Sequence, residues 1–181
     1  MAVVDPSEIL ARHVFVDPNA HVYAILDGAA IPDLPEKLQE HGVNAVCLYR
    51  GELISELSKV APYQVMLERE SAFTHWLFRE GWGRHWGILA VSRADWRLVR
   101  EHLCSLIMAY DPDWQPLYFR YYDPRVLRVY LPTCDADELQ ALFGPLARLL
   151  CEDEAGGLLK FWVAGGQLGG EQAALEFTPP P

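Results

Sequence analysis

A chain of 181 residues has the length of one ordinary domain with at most a small appendage, so two independent cores are excluded. With 51% hydrophobic and 22% charged residues it lies outside the composition range of disordered chains. Fifteen basic against 25 acidic residues give a net charge of −10, which argues against any general grip on a phosphate backbone, so nucleic acid is not an expected partner.

The first eleven residues, Met1 to Ala11, carry two acids and no Lys or Arg, so they lack the basic and apolar regions of a secretory signal. The most apolar stretch, Leu103 to Tyr110, is far too short to span a bilayer. Four cysteines (Cys47, Cys104, Cys134, Cys151) form no C-x-x-C pair, which predicts reduced thiols and a cytoplasmic location away from membranes.

A lead-in helix is expected within residues 1–20. Apolar runs rich in β-branched and aromatic residues predict strands at His21 to Leu26, Asn44 to Tyr49, Tyr63 to Leu67 and His85 to Val91. Helices are expected between them at Pro32 to Glu40, Gly51 to Val60 and Ser71 to Arg79. Ser92 and Asp95 have capping-box spacing, and Trp96, Val99, Leu103 and Leu106 then share one helical face. The aromatic segment Asp113 to Tyr122 suits a strand leading into a loop. Asp123 is a natural N-cap, with Pro124 in the first helical position and Pro132 setting the limit of that helix.

A second short helix is expected to start at Asp135, with Glu138 completing its capping box and Gly144-Pro145 stopping it. Ala147 to Cys151 and Leu158 to Val163 predict a hairpin across the turn 152–157. Beyond Ala164 the chain is Gly-rich and ends in three prolines, with no periodicity to predict an element. The expected class is α/β, with α+β as its variant. It has a mixed central sheet, flanking helices, a C-terminal helical pair and a hairpin. Residues 21–163 make one domain with room for two lobes, and residues 164–181 a Gly/Pro-rich tail.

Most enzyme signatures are missing. There is no G-x-S-x-G elbow, H-E-x-x-H helix or G-x-x-x-x-G-K-[ST] loop, and Gly81, Gly83 and Gly87 miss the dinucleotide spacing by one residue. The six histidines form no i, i+3 or i, i+4 pair, so no metal site and no cofactor are predicted. Asp27, at the end of the first strand, suits either a catalytic acid or an Asp-Gly turn.

Two segments stand out as recognition candidates. In 81–87 three glycines permit unusual backbone angles beside Trp82, Arg84, His85 and Trp86, residue types that often dominate recognition surfaces. The competing reading has the tryptophans anchoring the core. In 118–127, Arg120, Tyr121, Tyr122, Asp123 and Arg125 place arginines among aromatics at a capped helix start. They could hold a client's terminal, acidic or helical segment, or form an internal Arg–Asp clamp. Residues 134–181 hold eight acids and two bases, which suits a solvated face or a basic partner.

Six ordered blocks then carry a resemblance: Tyr23–Ala29, Leu48–Gly51, Ala61–Tyr63, Gly81–Gly87, Tyr121–Val126 and Phe143–Pro145. As a set, spread over about residues 21 to 163, they resemble the domain-of-unknown-function family numbered 4123, whose members are adaptors, or chaperones, of the bacterial type VI secretion system. The resemblance implies binding of a secreted toxic effector and its loading onto the valine-glycine-repeat spike protein, without catalysis. A rigid scaffold, an aromatic surface and a high net charge suit that role. Two other expectations stay open: a small hydrolase or transferase using Asp27, His85 and Arg125, and an immunity-like protein that binds and blocks a toxin.

Overall fold

The computed structural model of the chain describes residues 5–51 and 55–175. In chain order the strands are β1 (His21–Asp27), β2 (Ala45–Cys47), β3 (Pro62–Leu67), β4 (Gly87–Ser92), β5 (Met108–Tyr110), β6 (Pro116–Tyr118), β7 (Arg148–Glu152), β8 (Leu158–Ala164) and β9 (Gln167–Ala173). The helices are α1 (Pro6–Val14), α2 (Leu34–Glu40), α3 (Ser55–Val60), α4 (Ala72–Trp76), α5 (Trp96–Leu106), α6 (Pro124–Tyr130) and α7 (Ala136–Phe143). Seven strands form one sheet in the order β2-β3-β1-β4-β7-β8-β9, while β5 and β6 form a separate ribbon. The expected α/β class holds. The sheet, expected to be mixed, is antiparallel at every pairing.

Period two decides the layers. In β1, Val22, Ala24 and Leu26 join one core cluster, while Tyr23 and Ile25 join the other. A strand buried on both faces reads as an unbroken apolar run, which is why β1 is so plain in the sequence. The first face packs against α1 through Leu10 and Val14, α2 through Leu34 and Leu38, and α4 through Phe73. The second packs against α5 through Val99 and Leu103, α6 through Leu127, and α7 through Leu139 and Leu142. The molecule is thus three layers, with the sheet in the middle.

Local chemistry starts the helices. Asp5 caps α1, with its carboxylate accepting the Ser7 N–H at 3.0 Å. Asp135 and Glu138 form the expected reciprocal capping box of α7. The box expected between Ser92 and Asp95 does not form. Asp95 is itself the cap of α5, accepting from Arg97 and Leu98, while Ser92 ends β4 and its hydroxyl donates to the Pro145 carbonyl at 2.7 Å.

Other differences are of extent. The helix expected over 71–79 is α4 followed by a π-helical turn, Leu77–Gly81. The expected strands around Asn44–Tyr49 and His85–Val91 are shorter or shifted, with His85 left in the loop. The helix expected over Gly51 to Val60 is α3 across Ser55–Val60, and residues 52–54 lie outside the described residues. Of the aromatic run Asp113 to Tyr122, only Pro116–Tyr118 is strand.

The largest correction is β9, in the segment expected to be a tail. It pairs with β8 from Leu158↔Ala173 to Ala164↔Gln167. A Cβ on Gly169 would collide with the indole of Trp162, so the small residues that hide the strand pattern make room for that tryptophan.

Candidate functional site

The two singled-out segments meet at one end of the sheet. Asp27 closes β1 and is buried; its Oδ1 accepts the Ala29 N–H at 3.0 Å and its Oδ2 is ion-paired with Arg120. Asp123, also buried, caps α6 and accepts from Arg125 through the backbone N–H at 2.9 Å, Nε at 3.0 Å and Nη2 at 2.8 Å. Arg120 Nη2 stands 3.7 Å from Asp123, so it bridges the two carboxylates and ties the loop before α6 to the central strand. Burial works to raise the Asp123 pKa, but the hydrogen bonds and charge of Arg125 hold it below the ordinary carboxylate value.

The glycine-tryptophan loop is fixed by Glu152, the last residue of β7. Its buried carboxylate accepts the Gly83 N–H at 2.5 Å and the His85 N–H at 2.9 Å. His85 Nδ1 lies 2.5 Å from the same Oε1, without the alignment of a hydrogen bond. His85 has φ 58°, a left-handed conformation that an L side chain adopts only when the surroundings hold it there.

Burial sorts the expected contact residues. Trp82 is 7% exposed, with its indole N–H donating to the Gly156 carbonyl at 2.9 Å. Tyr121 and Tyr122 are buried in the second core cluster, and Tyr121 donates to the Leu103 carbonyl at 3.0 Å. Trp82, Tyr121, Tyr122 and Asp123 therefore serve packing and the internal clamp, which corrects their expected role as contact surface. Trp86 is half-buried against Trp76, with ring centroids 5.3 Å apart, and Arg84 lies over its ring. Arg84, Arg120 and Arg125 are exposed, and His85 is partly so.

Asp27, His85 and Arg125, the expected catalytic set, are each engaged elsewhere: Asp27 with Arg120, His85 with Glu152 and Arg125 with Asp123. His85 and Arg125 share an open depression of about 750 Å³ with Arg128, which Asp27 does not line. Glu8 of α1 and the Glu70–His75 stretch at the start of α4 bring possible ligand atoms within 4.8 Å of one another, a proximity between two segments that sequence spacing could not reveal. Glu70 is exposed with Arg69 3.4 Å away, the ordinary setting of a solvated surface acid.

A different surface carries the exposed apolar side chains. On and between β5 and β6, Trp114 is 80% exposed, Tyr118 65% and Tyr110 60%, with Leu117 and Met108 beside them. Asp111 builds the turn, its Oδ1 accepting the Asp113 N–H at 2.9 Å and the Gln115 N–H at 2.8 Å. The Phe119 N–H to Ile107 carbonyl bond, 2.8 Å, then roots the ribbon in the end of α5. Tyr118 packs on Tyr49 at 5.5 Å, and Tyr49 packs against the core cluster that holds Tyr122, so the ribbon reaches the neighbour of the clamp. Tyr110, Trp114 and Leu117 escape the sequence reading as site residues. The usable signal is Asp111-Pro112-Asp113, a turn sequence between two aromatic segments.

Among the described residues, no helix is long and apolar enough to cross a membrane. Comparison with curated proteins and with solved structures finds no match. The family described as Domain of unknown function (DUF4123) matches residues 22–141, a span running from β1 through the clamp and the ribbon into α7, and the chain belongs to that family.

Proposed function

We propose that this chain is an adaptor that binds a type VI secretion effector protein in the cytoplasm and helps load it onto the valine-glycine-repeat spike protein. The observation that carries the reading is the ribbon, where five large apolar side chains stand 38% to 80% exposed on a short, rooted element. Clustered exposed apolar side chains of this kind mark interaction surfaces, and aromatics dominate their binding energy. The rigid sheet and the Asp27–Arg120–Asp123 clamp behind the ribbon reduce the entropy lost on docking. A net charge of −10 keeps such a surface soluble while it is unoccupied.

The test is co-expression with a type VI effector toxin of the same cell, followed by size-exclusion chromatography with and without the spike protein. The wild-type chain should elute with the toxin and, when the spike is present, with both. Trp114→Ser with Tyr118→Ser, two exposed positions, should lose the toxin while circular dichroism stays native. Undiminished complex formation by the folded double variant would overturn the placement of the surface. Turnover of a small molecule by the purified chain, abolished by a single substitution, would overturn the adaptor reading itself.

A further inference from the structure

Beside the ribbon lies a groove of about 540 Å³, bounded by the segment after β2, by α3, by the end of α5 and by the ribbon. We propose that this groove seats an amphipathic helix of the partner, with a carboxylate on its apolar face meeting Arg50. The inference rests on the adaptor reading and names the kind of client segment that the adaptor holds.

Its floor is core: Leu48 is 1% exposed and Ile107 4%. One wall is the Tyr118–Tyr49 pair and the other is Leu57 of α3, itself 38% exposed. The volume falls within the range of ordinary ligand pockets, about 300–1,000 Å³, and holds a few side chains rather than a length of main chain. An occupant therefore stays on the surface and inserts anchors.

Backbone pairing decides what the floor offers an occupant. At the floor, the Leu48 N–H is bonded to the Pro62 carbonyl at 2.8 Å, and the Ile107 carbonyl accepts from Phe119. These two floor groups are taken, so the floor offers an occupant side chains. Side-chain burial remains as the mode of recognition, which suits apolar anchors spaced i, i+4 on a helix.

Charge then selects the helix. Among the described residues, Arg50 is the only charged one lining the groove, in a chain where acids outnumber bases by 25 to 15. Arg50 lines the groove together with Cys104 and Ser105 of the α5 wall. The described lining holds no carboxylate. A carboxylate on the occupant can pair with Arg50, and such complementarity fixes register and rejects the wrong partner.

The experiment uses the full chain and three fluorescein-labelled sixteen-residue peptides, followed by fluorescence anisotropy. All carry Leu anchors at i, i+4 in a helix-forming background. The first has Glu beside the anchors, the second Lys, and the third is the Glu peptide with a central Pro that breaks the helix. The Glu peptide should bind at least about tenfold more tightly than the other two. Arg50→Glu should reverse the Glu-over-Lys preference, and Leu57→Ser, at a partly exposed position, should weaken the Glu peptide.

Equal affinity for the Glu and Lys peptides, undiminished binding of the Pro peptide, no binding at all, or an unchanged preference in folded Arg50→Glu would each overturn the inference. The groove and the adaptor role fail separately. If the toxin complex forms but Arg50→Glu leaves its affinity unchanged, the groove assignment falls and the adaptor stands. Charge reversal with the peptides but no toxin complex leaves the groove as a helix site and removes the adaptor role.

Discussion

Replacing Glu152 tests how the glycine-tryptophan loop is held. The side chain is buried, and its two oxygens accept the backbone N–H groups of Gly83 at 2.5 Å and His85 at 2.9 Å. A hydrogen bond to a charged group contributes about 1.5–3 kcal/mol, so Glu152→Ala should cost about 3–6 kcal/mol. Set against a total stability of about 5–15 kcal/mol, this is a large fraction. The loop cannot easily turn toward other acceptors, because His85 is held at φ 58° and its ring nitrogen lies against Glu152. In urea unfolding followed by tryptophan fluorescence, a slope of about 2–3 kcal/mol per molar turns that loss into a midpoint drop of about 1–3 M. Glu152→Gln keeps one acceptor oxygen and should fall between wild type and Ala. A loss below about 0.5 kcal/mol for Glu152→Ala would refute the claim that this carboxylate fixes the loop.

Three further outcomes follow from the same geometry. Gln64 is fully buried on β3 with both amide atoms unpaired among the described residues, so Gln64→Met should raise stability by about 1–2 kcal/mol in urea unfolding, and a loss of that size would contradict the assignment. A Cβ on Gly87 would run into the Ile25 carbonyl on the central strand, where no side chain can give way, so Gly87→Ala should cost more than about 3 kcal/mol in the same assay; a wild-type midpoint would sink the claim of close approach. His102 donates through Nε2 to the Leu142 carbonyl, and burial depresses its pKa below the ordinary 6.5. The folded chain then takes up this proton less readily than the unfolded one, so its contribution is full above about pH 6.5 and is lost as pH falls toward the folded value. His102→Gln should flatten the stability profile in that window, and an unchanged slope would show that His102 is not its source.

Much of the architecture is legible in the chain because local and tertiary preferences agree there. β1 is apolar on both faces, and α7 carries its own capping box and apolar stripe, so neither depends on distant residues for its signal. Where the two disagree, the sequence misleads. β9 shows no alternation because Gly169 must leave space for Trp162.

For the site, residue types point to the right neighbourhood and the wrong atoms. Arg120 and Arg125 are legible as partners of aspartates, but which carboxylate each meets depends on β1 approaching α6. Trp82 and Tyr121 draw attention as large aromatics. Their indole N–H and hydroxyl are satisfied inside, whereas Trp114 stands at a turn that the core does not need.

Hydrogen–deuterium exchange on the complex with the effector toxin tests the central claim most directly, since it maps contact without substitution. Slowed exchange confined to residues 48–50, 57–60 and 104–119, the groove and the ribbon, is the predicted result. Unchanged exchange there, with protection instead along the β9 edge or over the His85–Arg128 depression, would contradict the account.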